Sequence, residues 1–223
     1  MSDSTTHLIG FPAGDPRARS GRLELPGDLT IPPGAFGCVA FAHGSGSSRL
    51  SPRNRLVSGV LDEAGIATLL IDLLTPSEAD ARENVFDVGL LAGRLEGATR
   101  WLAERQETAG LPLGYFGAST GAAAALCAAA DLGARIRAVV SRGGRPDLAG
   151  ERLAEVRSPT LLIVGGDDAL VLGLNREALA RLPGEAALEV VPGATHLFEE
   201  RGALEQVAAL ACDWFVRHLP EPA

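Results

Sequence analysis

Lysine is missing from this chain: all 20 basic residues are arginine. That removes the lysine nucleophile, the Schiff base and the lysine phosphate clamp from the available chemistry. Cysteine is scarce. Cys38, Cys127 and Cys212 each lie in an apolar stretch without a CxxC pair, which reads as reduced, buried thiols of a cytoplasmic protein. With no cysteine cluster, no HExxH and no regular His/Asp spacing, no metal site is expected. No apolar run approaches the ~18 residues of a membrane span. Residues 1–10 lack the basic segment and apolar core of a signal peptide. Positive charge is in deficit, 28 acidic residues against 20 arginines for a net charge of −8, which argues against nucleic acid as a partner. Neither a repeat nor a linker divides the 223 residues, of which 46% are apolar. One domain with a substantial core follows; a homodimer stays open.

What is present centres on Gly117-Ala118-Ser119-Thr120-Gly121. This Gly-x-Ser-x-Gly follows the apolar run 111–116 and precedes a helix-compatible stretch, 120–130. Strand, sharp turn and helix are the context in which the pattern forms a nucleophile elbow. A Cβ at either glycine would crowd a neighbouring strand or helix. The competing reading of Ser119 is a capping serine at a helix start.

A serine nucleophile needs a neutral imidazole as base and a carboxylate to orient it. His196 follows the apolar run 188–191 and is the expected base; His7, His43 and His218 are less suitably placed. Asp168 follows the run 160–164 and is the expected acid, with Asp167 as its competitor and Asp147 as a remoter one. Backbone N–H groups of Thr120 and of the loop 43–48, Ser45 in particular, are the expected oxyanion donors. Arg142 and Arg145 flank Gly143-Gly144 in a loop expected over 141–146. They are candidates to bind an anionic substrate group, against the alternative of ion pairing with Asp147 or Glu151. Arg49, Arg53 and Arg55 carry a weaker suggestion of the same kind.

Strands are expected near 7–11, 22–25, 37–42, 66–70, 111–116, 136–140, 160–164 and 188–191. Pro26-Gly27 and Pro32-Pro33-Gly34 read as turns. Helices are expected over 51–64, 85–107, 120–130, 172–182 and from Leu204 to Phe215, with a polar loop over 74–82. From Gly37 onward strands alternate with helices, which dictates an α/β fold with a mostly parallel sheet covered on both faces.

Together these residues resemble the α/β-hydrolase superfamily, and within it the dienelactone hydrolase-like group. The carriers are Phe41-Ala42-His43-Gly44-Ser45, the elbow 117–121, Gly165-x-x-Asp168-x-x-Val171 and Gly193-Ala194-Thr195-His196. The resemblance covers about residues 35–219, with 1–34 as N-terminal strands and loops of the same domain and 220–223 as a tail. The absence of a large insertion between Ile136 and Pro159 implies a minimal fold with little or no lid. Dienelactone hydrolases proper carry cysteine at the elbow, where this chain has Ser119. Some members of the group are fused to a phosphoribosyltransferase domain, which is not read in these residues. The resemblance implies a cofactor-independent serine hydrolase of small esters or lactones acting through Ser119, Asp168 and His196. The alternatives are an acyltransferase or peptidase with the same residues, or a non-catalytic hydrolase-like binding domain.

Overall fold

The computed structural model describes residues 4–11 and 23–220. Its sheet has eight strands: β1 (Ser4–Phe11), β2 (Leu23–Thr30), β3 (Gly37–Ala42), β4 (Ile66–Ile71), β5 (Leu113–Ala118), β6 (Ile136–Arg142), β7 (Thr160–Gly165) and β8 (Ala186–Val191). They lie in the order β1-β2-β4-β3-β5-β6-β7-β8. Strands β3 to β8 pair in parallel, while β1 and β2 add an antiparallel edge. Parallel pairs need crossovers. These are α1 (Pro52–Glu63), α4 (Val88–Ala103), α5 (Thr120–Leu132), a 3-10 stretch over Pro146–Glu155, and α6 (Ala169–Leu179); α7 (Ala203–His218) follows β8. Two single-turn helices, α2 (Pro76–Ala79) and α3 (Arg82–Val85), lie between β4 and α4.

Helices cover both faces, so the central strands are apolar throughout. Every residue of β3, β4, β5 and β7 is buried, as expected of parallel strands sandwiched between helices. The pleat divides them: Cys38, Ala40 and Ala42 of β3 join the core with α4 and α5, and Val39 and Phe41 join the core with α1 and α7. Burial pushes the Cys38 thiol up to about 12 and the Cys127 thiol up to about 11. Both stay protonated at neutral pH and pack as small hydrophobes. No helix among the described residues is long and apolar enough to cross a membrane.

Several expected boundaries move. Pro26 and Gly27 lie inside β2, not in a turn. The strand expected at 22–25 begins at Leu23 and runs to Thr30; Arg22 is outside the described residues. The polar loop over 74–82 contains α2, where Thr75 and Glu78 form a reciprocal capping box. The long helix starts later than expected because the Asp87 carboxylate caps the Leu90 N–H at 2.9 Å. It ends earlier because the Thr108 hydroxyl donates to the Leu102 carbonyl at 2.6 Å. Strand β6 extends through Ser141 and Arg142, both expected in the loop.

Candidate active site

Parallel strands point their carboxyl ends at one rim, where loops gather and ligands bind in open α/β sheets. Ser119 sits there, between the last residue of β5 and the first of α5, with φ 50° and ψ −119°. A positive φ on a non-glycine residue costs on the order of 1–3 kcal/mol and persists only where the surroundings enforce it. Here Ser119 N–H donates to the Arg142 carbonyl at 3.2 Å, and Arg145 N–H donates to the Ser119 carbonyl at 3.1 Å. The flanking glycines are sterically required. A Cβ on Gly117 would lie 2.7 Å from the Gly121 carbonyl oxygen, and one on Gly121 would lie 2.7 Å from the Ala42 carbonyl carbon. Ser119 makes no side-chain capping bond to α5, so its hydroxyl is not spent as a cap.

Asp168 and His196 arrive on the next loops along the rim. Gly166 N–H donates to the Val191 carbonyl at 2.8 Å, and Asp167 N–H donates to the Ala194 carbonyl at 3.0 Å. These bonds stitch the β7 loop to the β8 loop. Asp168 Oδ1 accepts from the Val171 N–H at 3.3 Å, capping α6. Its Oδ2 meets His196 Nδ1 at 2.7 Å. A carboxylate there holds the proton on Nδ1 and leaves Nε2 as the acceptor. Of the competing acids, Asp167 is exposed, and Asp147 is bound by Arg145 at 2.7 and 2.8 Å. His196 and Ser119 line one small cavity of about 180 Å³, with Gly44, Ser45 and Arg142.

The loop after β3 forms the other wall. A Cβ on Gly44 would come within 3.0 Å of the Ser119 Cβ, so the loop backbone can pass directly over the serine. His43 is structural: its Nε2 accepts from the Leu73 N–H at 3.1 Å and its Nδ1 faces the Gly44 carbonyl at 3.0 Å. Burial holds His43 below the usual histidine range, against smaller opposing pulls from the Gly44 carbonyl and Asp72. Arg49 fixes the far end of the loop. Its backbone N–H and Nη1 donate to Asp72 at 2.7 and 2.8 Å, and its Nε donates to Asp28 at 3.3 Å. Arg55 donates to the same Asp28 at 3.1 Å. Asp28 and Asp72 escaped the sequence reading because nothing in their local pattern pairs them with Arg49. Beyond the loop lies a second cavity of about 500 Å³, which Ser45 and Thr120 also border. Part of its wall is apolar: Pro26, Leu74, Pro76, Ala79, Val85 and Leu91.

The two candidate arginines part company. Arg145 donates two hydrogen bonds to Asp147 and lines neither cavity; ion pairing, the alternative reading, describes it. Arg142 is the last residue of β6, is 7% exposed, and lines the cavity of Ser119 and His196. Its Nη2 donates to Asn54 Oδ1 at 3.4 Å, and its Nε is buried with no hydrogen-bond partner among the described residues. Burial, then the charge of Arg53, pushes its pKa down to about 10; it remains cationic at neutral pH. Arg53 borders the same cavity and pairs with exposed Glu199 at 3.2 Å.

No family model matches the chain. Among solved structures it is similar to a dienelactone hydrolase from Anabaena variabilis, at 52% identity and a TM-score of 0.89, covering 97% of this chain and 99% of that one. A carboxyl esterase from Tuber melanosporum, at 19% identity and a TM-score of 0.72 over 97% of this chain and 88% of that one, shares the fold. Two curated relatives from Mycobacterium tuberculosis are 64% identical over 203 residues and are provisionally named phosphoribosyl transferases. That match takes in 91% of this chain and 46% of each relative, so the chain spans about half their length. The eight-stranded sheet, the elbow at its carboxyl rim and the near-complete match to the Anabaena protein lead to one conclusion: this chain belongs to the dienelactone hydrolase group of the α/β-hydrolase superfamily.

Proposed function

We propose that the protein is a serine hydrolase of small carboxylic esters or lactones, with Ser119 as nucleophile, His196 as base and Asp168 as its orienting acid. One observation carries the reading. The strained Ser119 shares a cavity with His196, whose Nδ1 lies 2.7 Å from Asp168. His196 Nε2 takes the Ser119 proton as the hydroxyl attacks the acyl carbon. The oxyanion is received by the N–H of Thr120, at the positive end of α5, and by the loop backbone at Ser45. His196 then protonates the leaving alcohol. Water, deprotonated by the same imidazole, releases the acid. The apolar cavity beside Thr120 accommodates the non-polar part of the substrate. Arg142, buried without a carboxylate, favours substrates that bring an anionic group to the smaller cavity; a charge-assisted bond there contributes about 1.5–3 kcal/mol.

The test is labelling with a fluorophosphonate, followed by turnover of p-nitrophenyl esters and lactones. Ser119→Ala is expected to abolish both while moving the thermal midpoint by no more than a few degrees, since a small side chain carries little packing. Turnover retained in Ser119→Ala would rule the mechanism out. A wild-type protein that neither labels nor turns over would favour a binding domain.

A further inference from the structure

We propose that the rim opposite the candidate active site holds a binding site for a small organic phosphate, formed by Arg137, Arg157 and Arg217 with His218. These residues line a cavity of about 710 Å³, within the size range of small-molecule sites. Ile136 opens β6, Pro159 precedes β7 and Glu185 precedes β8, and all three border the cavity. It therefore lies at the amino ends of strands whose carboxyl ends carry Arg142, Asp168 and His196. Seven residues of β6 separate the two rims, roughly 20 Å at strand spacing.

The charges converge from three segments: the start of β6, the loop before β7 and the last turn of α7. None of the three arginines has an ion-pair partner among the described residues. Among the described residues the cavity holds one carboxylate, Glu185, which lies 3.6 Å from His218 Nε2. That nitrogen is buried without a hydrogen bond among the described residues, and its ring packs on Trp214 with centroids 4.3 Å apart. Arg157 and Arg217 are exposed and Arg137 is half-buried, so their guanidinium groups can turn to meet an entering anion. Three donors of this kind match the oxygens and double charge of a phosphate monoester better than the two oxygens of a carboxylate. The cavity exceeds the size of phosphate alone, and Ala134, Pro159 and Pro220 supply apolar wall, so the ligand carries an apolar or ring portion.

Calorimetric titration with phenyl phosphate, inorganic phosphate and phenol tests the site in the full chain. Phenyl phosphate is expected to bind a site that persists in Arg142→Gln, inorganic phosphate more weakly and phenol not at all. The triple variant Arg137→Gln, Arg157→Gln, Arg217→Gln should weaken phenyl phosphate at least 10-fold with its circular dichroism unchanged, while Arg142→Gln should leave affinity unaltered. No binding to the wild type at millimolar ligand overturns the proposal. So does loss of binding in Arg142→Gln alone, which would move the phosphate to the Ser119 cavity. Tighter binding of a Glu-rich peptide than of phenyl phosphate would overturn it in favour of a protein partner.

Discussion

Asp168 serves two groups at once, a helix N-terminus through Oδ1 and an imidazole through Oδ2. Asparagine keeps the cap and the shape but removes the charge that stabilises an imidazolium. Asp168→Asn is therefore expected to fold normally and lose on the order of 10⁴ in kcat, the loss known for this change in a serine triad. Asp167→Asn, at an exposed position, should lose less than about 10-fold; stopped assays with p-nitrophenyl acetate distinguish the two, and reversed effects would move the acid by one residue. Arg142→Gln should raise KM about 10-fold for an anionic ester and leave a neutral ester of equal size unchanged, a gap of about 1.4 kcal/mol. Arg145→Gln should change neither. That Ser119, Asp168 and His196 would gather on one rim was legible in the sequence, because each follows an apolar run at a turn. The fates of Arg142 and Arg145 were not. One depends on β6 running two residues further, and the other on which of several nearby carboxylates it meets.

At the level of elements, helices and central strands followed from periodicity, and the misreadings fall where local chemistry competes with it. Pro26 reads as a turn, yet β2 pairs with β4 only from Gly27 onward. Pro26 therefore sits at the end of that ladder, where its carbonyl accepts from the Asp72 N–H at 3.1 Å and its own missing N–H is tolerated. Thr75-Pro76-Ser77-Glu78 carries a capping box in plain view, but four residues are too few to show a period. This short element matters because Pro76 and Ala79 border the apolar cavity. The cover of the site thus comes from the β4–α4 connection, whereas the β6–β7 connection, with no large insertion, packs as a 3-10 stretch whose Ala149 and Leu153 join the core with α5. Ala79→Trp, on an exposed turn, should fill part of that cavity. It is expected to lower kcat/KM for p-nitrophenyl octanoate at least 10-fold with little change for the acetate, about 1.4 kcal/mol of discrimination. Equal losses on both esters would show that the cavity does not hold the acyl chain.

For the molecule as a whole, Asp62 sets a pH dependence of stability. Burial raises its carboxyl to about 6, despite a hydrogen bond from the Thr68 hydroxyl at 2.9 Å that pulls the other way. The folded state holds this proton more tightly than the unfolded chain. Stability is therefore lost as pH rises through roughly 4 to 6, and the loss persists above that range. Asp62→Asn should raise the thermal midpoint by a few degrees at pH 7.5, about 1 kcal/mol after allowance for solvent screening. At pH 4 it should change little. A larger gain at pH 4 than at pH 7.5 would refute the assignment. The order of the sheet has a further consequence. Among the described residues, strand β8 is the last in the sheet and pairs only with β7, and Val191 is its sole buried residue. The loop it carries holds His196. Edge segments with few buried contacts open before the rest of a protein, so the imidazole rides on the part of the sheet that detaches first. Under rising urea the proposed hydrolysis should cease while Trp101 and Trp214 still report an intact core, and amide exchange along β8 should outpace that along β5.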